Sequence, residues 1–424
     1  MDIKNIINKK RLKKELSDEE IKFVISGFMD GKIKDYQMSA LLMAITINDM
    51  TDDEVLSLTK YMLDSGKKID LSTFTLPCVD KHSSGGIGDK TTLIIAPIVS
   101  SLGVIVPKMS GRGLGYTGGT IDKLESIPGF KVKLTEKQFF RELSKLNMAV
   151  VSQTEDIAIA DKKIYALRDV TATSASIPLI ASSIMSKKLA LGSSKIVIDL
   201  KVGEGALINN LNDGRRLANL MIKIGKAYNK EVVCLLTNMD VPLGYNIGNS
   251  LEIEEVIDVL QNKSNSNLRD LSISLASLMV SLGKGISLEN AKDLVVDTLD
   301  SGKAYKKFLD FVSYQKGDLS LLRKAKYSYQ VKSPINGFVT EIKALELGMV
   351  SFMLGSGRTN KEDTLDYEAG IILNKQINDY VSTNEVLATL YSNKEIPHLE
   401  DKVLEAFSIT SKKCDYNLIL ELIK

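Results

Sequence analysis

Histidine is scarce in this sequence, with only His82 and His398 among 424 residues, so a metal centre built from clustered imidazoles is excluded. Cysteine is equally sparse. Cys78, Cys234 and Cys414 lie far apart, which offers no grouped zinc ligands and fits reduced thiols. Net charge is almost missing: 55 Lys plus Arg against 53 Asp plus Glu leave +2, and no bulk field draws the chain to nucleic acid or to an anionic membrane. Any anion bound here must therefore be held locally. Long apolar runs are absent too. No stretch of about 18 apolar residues occurs, and the basic start MDIKNIINKKRLKKEL leads into no apolar segment, so the reading is cytoplasmic, with neither signal peptide nor membrane span. There is no internal repeat and no low-complexity tract.

What is present has the balance of a soluble globular protein: 44% hydrophobic and 25% charged residues, in a chain long enough for about three units at roughly 150 residues each. The first 65 residues read as helices, with capping boxes at Ser17/Glu20 and Thr51/Glu54 and a stop at Gly66. From LPCVD, a short strand ending at Asp80, strands and helices alternate. Strand candidates are VIVP, FKVKL (130 to 134), MAVVS (148 to 152), KIVIDLKV (195 to 202) and EVVCLL (231 to 236). Such alternation implies an α/β fold with a parallel or mixed sheet. Residues 162 to 191 are strongly helical and return to the N-terminal bundle. The expected division is a discontinuous all-α domain (1–68 plus 162–192), an α/β domain (69–161 plus 193–329) and a small α+β C-terminal domain (330–424).

Two segments carry chemistry. The first, Lys81-His82-Ser83-Ser84-Gly85-Gly86-Ile87-Gly88-Asp89-Lys90-Thr91-Thr92, lies between a strand and a helix. Its glycines let backbone wrap a ligand, and the helix N-terminus, Lys and Ser favour an oxyanion such as phosphate. It is neither a Walker loop nor GxGxxG, and alone it reads equally well as a tight turn without a ligand. The second, Pro107 to Glu125, also follows a strand, so both loops emerge at the same sheet edge and can grip one anion from two sides. Asp122, Lys123 and Glu125 are either helix-surface charges or a buried network that shapes this loop.

SGRGLGYTGGTIDKLE resembles the signature of the thymidine and pyrimidine-nucleoside phosphorylases, and the resemblance continues through KHSSGGIGDKTT, SIMSKK, VIDLKVGEGA, MDVPLGYNIGNSLEIEE and SGRTNKEDTLDYEAGIIL. It implies phosphorolysis of thymidine, deoxyuridine or uridine by inorganic phosphate to free base and pentose 1-phosphate. It also implies a cleft between the helical and α/β domains, and a homodimer joined through helical domains. Residue by residue, it assigns phosphate binding to Lys81, Ser83, Thr92, Lys108, Ser110 and Thr120. Base or nucleoside binding falls to His82, Leu114, Tyr116, Arg168, Ser183, Ile184 and Lys187, and catalysis to His82, Arg168 and Lys187. Cations facing the pyrimidine suit the negative charge that develops as the glycosidic bond breaks. His82 would donate to the base carbonyl or protonate it.

Each assignment has a plainer reading. Lys187 beside Lys188 resembles a solvated helix face, Arg168 suits a helix C-terminus, and Ser83, Ser110 and Thr120 suit turn caps. Met109, Met148, Met185 and Cys78 read as core. Two departures stand out: Tyr116 replaces the usual His, and Lys90 stands where some relatives place Thr in a monovalent-cation site formed with the carbonyl of Gly88, Leu243, Asn246 and Glu255. Either the Lys90 ammonium takes the place of a potassium ion, or it points to solvent. No other cofactor is implied beyond phosphate as co-substrate. Competing functions are an anthranilate-type phosphoribosyltransferase and a catalytically silent nucleoside-binding protein; the first needs an acidic pair with Mg²⁺, which the cationic loops lack.

Overall fold

A computed structural model of the chain describes residues 1–113, 118–358, 363–395 and 399–424. Four N-terminal helices, α1 (Ile3–Arg11), α2 (Asp18–Met29), α3 (Asp35–Asn48) and α4 (Asp52–Asp64), form the bundle that the capping boxes announce. Both boxes are made, by Ser17 with Glu20 and by Thr51 with Glu54. Glu54 also receives the buried ammonium of Lys10 at 2.7 Å, which pins α1 to α4. The helical return is two helices, α8 (Ile159–Val170) and α9 (Ile177–Ala190), broken where Arg168 gathers the carbonyls of the turn between them. No single helix among the described residues is long and apolar enough to cross a membrane.

The central sheet runs β1 (Val79–Ser83), β4 (Lys195–Val202) and β5 (Glu231–Asn238), all parallel. A second parallel pair, β2 (Val106–Ser110) with β3 (Met148–Ser152), joins β1 through a bridge between Cys78 and Ile105. Alternate residues of β4 and β5 enter two different cores. Val197, Val233 and Leu235 pack with α5 (Thr91–Ser101), while Ile196, Ile198, Leu200 and Leu236 pack with α9 and α10 (Leu211–Ala227), as expected for strands covered on both faces. That second core is continuous with the helical bundle, so α1–α4, α8 and α9 are fastened to one face of the sheet.

Three strand expectations need correction. The first strand continues past Asp80 to Ser83, because in-register pairing of Val79–Ser83 with Lys195–Asp199 recruits Lys81, His82 and Ser83 from the loop. The next strand begins at Val106 rather than Val104. FKVKL forms no strand: Lys131 reaches the carbonyl of Gln315 and Val132 the amide of Ser152, isolated bonds that make no ladder.

Beyond three further helices (Asn267–Lys284, Leu288–Asp300 and Lys303–Tyr314) the texture becomes antiparallel, and residue 330 is crossed twice. β6 (Asn246–Gly248) leaves the α/β segment to join a sheet ordered β6-β9-β11-β7 with β9 (Gly370–Leu373), β11 (Val386–Ser392) and β7 (Tyr327–Lys332). A small second sheet is ordered β10-β8-β12, from β8 (Gly337–Ile342), β10 (Tyr380–Val381) and β12 (Phe407–Thr410). Finally β13 (Ile419–Ile423) returns to pair antiparallel with β5.

Candidate active site

Strand alternation sends Lys81 and Ser83 to one face of β1 and Asp80 and His82 to the other. Lys81 is buried, its ammonium 2.7 Å from Thr91 Oγ1 and 3.2 Å from Asp199. Ser83 donates to Asp89, which also accepts from Thr91. Beneath them the fully buried Lys201 lies 2.9 Å from Asp199, and Thr237 donates to that same carboxylate. Thr92 occupies the first turn of α5. From β2, Lys108 donates to the carbonyl of Lys81 at 2.8 Å, which draws the two strand ends together; burial first, then Lys188, pushes its pKa well down. Ser110 closes β2, and Thr120 opens α6 (Thr120–Glu125).

The other half of the expected site comes from α8 and α9. Lys187 donates to Ser183 at 3.0 Å and pairs with Asp161 at 2.9 Å, so it is not a solvated charge. Ile184 is buried one residue beyond Ser183. Arg168 is 1% exposed and donates to the carbonyls of Thr173, Leu179 and Ser174. Three of its five N–H groups are thus committed to backbone, and two are uncommitted. The Tyr165 ring lies 5.7 Å from both Arg168 and Lys187.

His82 sits between the halves. Burial first, then the ammonium groups of Lys188, Lys108, Lys187 and Lys81, hold its pKa well below 6.5. Its imidazole is therefore neutral at pH 7, able to donate a hydrogen bond but a poor proton source. Lys188, passed over in the sequence, meets the buried Asp80 at 2.8 Å and ties α9 to β1. Asp89, Thr91, Asp161, Tyr165, Asp199 and Lys201 were also missed. Their signal was weak, since a buried charge network leaves no short-range spacing. Leu114 and Tyr116 lie outside the described residues.

Lys90 does not point to solvent. Its side chain is buried, with Nζ 3.0 Å from Leu243 O, 2.6 Å from Asn246 O and 2.6 Å from Glu255 Oε2. Glu255 also accepts from the amides of Tyr245 and Asn246. Gly88 has φ +73°, and a Cβ there would lie 2.6 Å from Leu243 O, so only glycine permits this approach. The charges after the second loop form a network as well: Asp122 with Arg358, Lys123 with Glu252, and Glu125 with Arg112.

Comparison with known proteins bears on this arrangement. A family model described as the glycosyl transferase family a/b domain matches residues 75–305, its helical bundle counterpart matches 4–66, and the pyrimidine nucleoside phosphorylase C-terminal domain matches 338–410. The chain is 46% identical to a pyrimidine-nucleoside phosphorylase of Staphylococcus epidermidis, over 96% of each chain. It is 46% identical to the Geobacillus stearothermophilus protein of that name over 97% of each, and 45% identical to that of Bacillus subtilis over 99% of this chain and 100% of the other. The crystal structure of anthranilate phosphoribosyltransferase from Thermus thermophilus is similar in fold, with TM-score 0.58 at 15% identity, covering 75% of this chain and 100% of that one.

Proposed function

The chain belongs to the pyrimidine-nucleoside phosphorylase family, and from that premise we infer how its cleft carries out the reaction. It is a pentosyltransferase that cleaves pyrimidine nucleosides with inorganic phosphate, reversibly, to free base and pentose 1-phosphate. The observation that supports the reading of the site is that Lys108 of β2 donates to the carbonyl of Lys81 at 2.8 Å, joining the strands that lead into both glycine-rich loops, while Lys188 of α9 meets Asp80 of β1 at 2.8 Å and brings the helix of Ser183 and Lys187 against the same strand.

Phosphate lies against Lys81, Ser83, Thr92, Lys108, Ser110 and Thr120, with Ser83 turning its one O–H away from Asp89 to join them, and these donors offset the charge of the nucleophile before it reaches C1′. Lys81 and Lys108 are fixed by Thr91, Asp199 and a backbone carbonyl, so little reorganisation accompanies charge transfer. As the glycosidic bond breaks, negative charge grows on the departing ring. Lys187 and the two uncommitted N–H groups of Arg168 stabilise that charge more than the neutral substrate, and His82 contributes a neutral N–H. The phosphoribosyltransferase reading is not favoured, since the likeness to that enzyme is one of fold alone.

Lys90 replaces the monovalent cation of some relatives. The oxygens of Leu243, Asn246 and Glu255 already converge on its ammonium, and a potassium ion brought there would meet a like charge at close range. Phosphate is then the one small co-substrate and no metal cofactor is needed. Two copies associate through helical domains, for which Tyr36, Met43 and Ile47 offer an exposed apolar stripe along α3, at 73%, 36% and 71% exposure. Three free cysteines fit a cytoplasmic enzyme. The decisive assay follows base release from uridine and thymidine by ultraviolet absorbance with and without phosphate. Turnover should require phosphate; equal release in phosphate-free buffer would make the protein a hydrolase.

A further inference from the structure

The neck of the second glycine-rich loop is closed by one carboxylate. Asp122 Oδ2 accepts from the amide of Gly113 at 2.6 Å and from that of Gly119 at 3.1 Å, the two ends at which the loop leaves and rejoins the domain. The ends touch: a Cβ on Gly119 would lie 2.2 Å from the Gly113 nitrogen. Lys123 reinforces the closure by donating to Gly118 O at 2.8 Å. Ser110 and Thr120 stand just outside this neck, one on each leg, so the spacing of their hydroxyls follows from how tightly it is held.

The partner of Asp122 comes from far along the chain. Arg358 donates to Asp122 Oδ1, and both side chains are nearly buried, at 8% and 3% exposure. Ser356, two residues before Arg358, and Tyr367, among the described residues that resume at 363, are both fastened to α11 (Asn249–Leu260). Asn249 donates to Ser356 O at 2.9 Å, and the amide and hydroxyl of Ser250 reach Tyr367 O at 3.0 and 2.8 Å. The guanidinium is thus carried on backbone that is itself docked.

We propose that Arg358, a residue of the C-terminal domain, is a positioning residue for phosphate: by pairing with Asp122 it holds the neck of the second loop closed and sets the distance between Ser110 and Thr120. The inference rests on the phosphate assignment above. Removing the guanidinium leaves a buried carboxylate without its counter-charge, which is a severe local disturbance, and the disturbance falls on the group that gathers Gly113 and Gly119. The C-terminal domain thereby enters the chemistry without touching substrate.

The test compares Arg358→Met, Arg358→Lys and Asp122→Asn in initial-rate assays with phosphate and nucleoside varied separately, and in calorimetric titration with inorganic phosphate alone. Arg358→Met should raise KM for phosphate by roughly 10- to 100-fold while KM for the nucleoside moves far less, because misplacing a positioned group by about an ångström can cost about 100-fold. Arg358→Lys should recover part of the loss. Asp122→Asn separates positioning from simple attraction: it turns an acceptor facing Arg358 into a donor, so positioning predicts weaker phosphate binding. If Arg358 only drew phosphate in by its charge, freeing it from Asp122 would strengthen binding, and that result overturns the proposal. So would an Arg358→Met enzyme with unchanged phosphate KM. Phosphate dependence of the unmodified enzyme reads the underlying assignment, and the differences among variants read this one.

Discussion

The two glycine-rich loops are built alike and anchored oppositely. In the first, the cation belongs to the loop: Lys90 reaches out to Glu255 and the carbonyls of Leu243 and Asn246. In the second, the carboxylate stays beside the loop and the cation arrives from another domain, as Arg358 on Asp122. Each loop needs a buried charge pair because its glycines contribute no side-chain packing of their own. Each cation also gathers or supports backbone groups that would otherwise lie buried without partners. The difference shows that loops of similar composition hold their shape from different sources. The first reaches Leu243, Glu255 and Asn246, the residue that opens β6, and the second takes its cation from position 358 in the C-terminal domain itself.

Breaking the first anchor should have the largest effect. Lys90→Met leaves Glu255 and two carbonyls buried without the ammonium and should cost about 3–5 kcal/mol of stability, read by denaturant unfolding. Lys90→Thr should lose less in potassium than in a bulky organic-cation buffer, since the ion can then occupy the vacated place.

A buried carboxylate with no cation among the described residues serves as the control for both pairs. Glu142, on α7 (Glu136–Leu146), has no hydrogen-bond partner among them for either oxygen, and burial pushes its pKa from 4.5 up to about 8. A carboxyl whose folded pKa is raised loses stability as pH climbs from about 4.5 through about 8. Glu142→Gln should therefore change little at pH 5 and stabilise the protein by about 2–3 kcal/mol at pH 8.5. A gain that does not grow with pH would show that Glu142 has found a counter-charge.

Within the loops, charge should outweigh hydroxyl. Lys81→Ala should lower kcat/KM for phosphate by about 100-fold and Ser110→Ala by about 10-fold, because the ammonium donates to a desolvated anion with full charge. Equal losses would make the two loops interchangeable. A smaller effect concerns His82. With its pKa held well below 6.5, kcat/KM for the nucleoside should show no ionisation near 6.5, and His82→Asn should retain more activity than His82→Ala. An acid limb at that pH, abolished in both variants, would restore the imidazole as a proton donor. Smallest of all, the unmodified enzyme should turn over equally in potassium and in tetramethylammonium buffers. Strong potassium activation would mean that Lys90 does not substitute for the ion.

Much of the fold was legible because its signals are local. Ser17/Glu20 and Thr51/Glu54 cap helices within four residues, and the apolar run KIVIDLKV is a strand buried on both faces. FKVKL misled because its alternation suits a strand while no neighbour offers a ladder. β13 was unforeseen since nothing near residue 419 announces pairing with β5. In the site, the two loops were legible, and the resemblance had already named the residues that meet Lys90, but the charge partners of Asp80 and Asp122 were not. Lys188 looked like half of a solvated lysine pair, yet its partner Asp80 is 108 positions away, and Arg358 meets Asp122 across 236.

The sequence by itself determined which groups could bind an anion: glycines, lysines and hydroxyls at the ends of two strands, in a chain with almost no net charge to attract one elsewhere. It also narrowed Lys90 to two destinations. Only the tertiary structure took Lys90 out of solvent, and only it showed which buried charges are paired and with what. The reason is physical. Local sequence sets dihedral preferences and donor types, but the energy of a buried charge depends on its counter-charge and its dehydration, and both come from residues brought near by the fold.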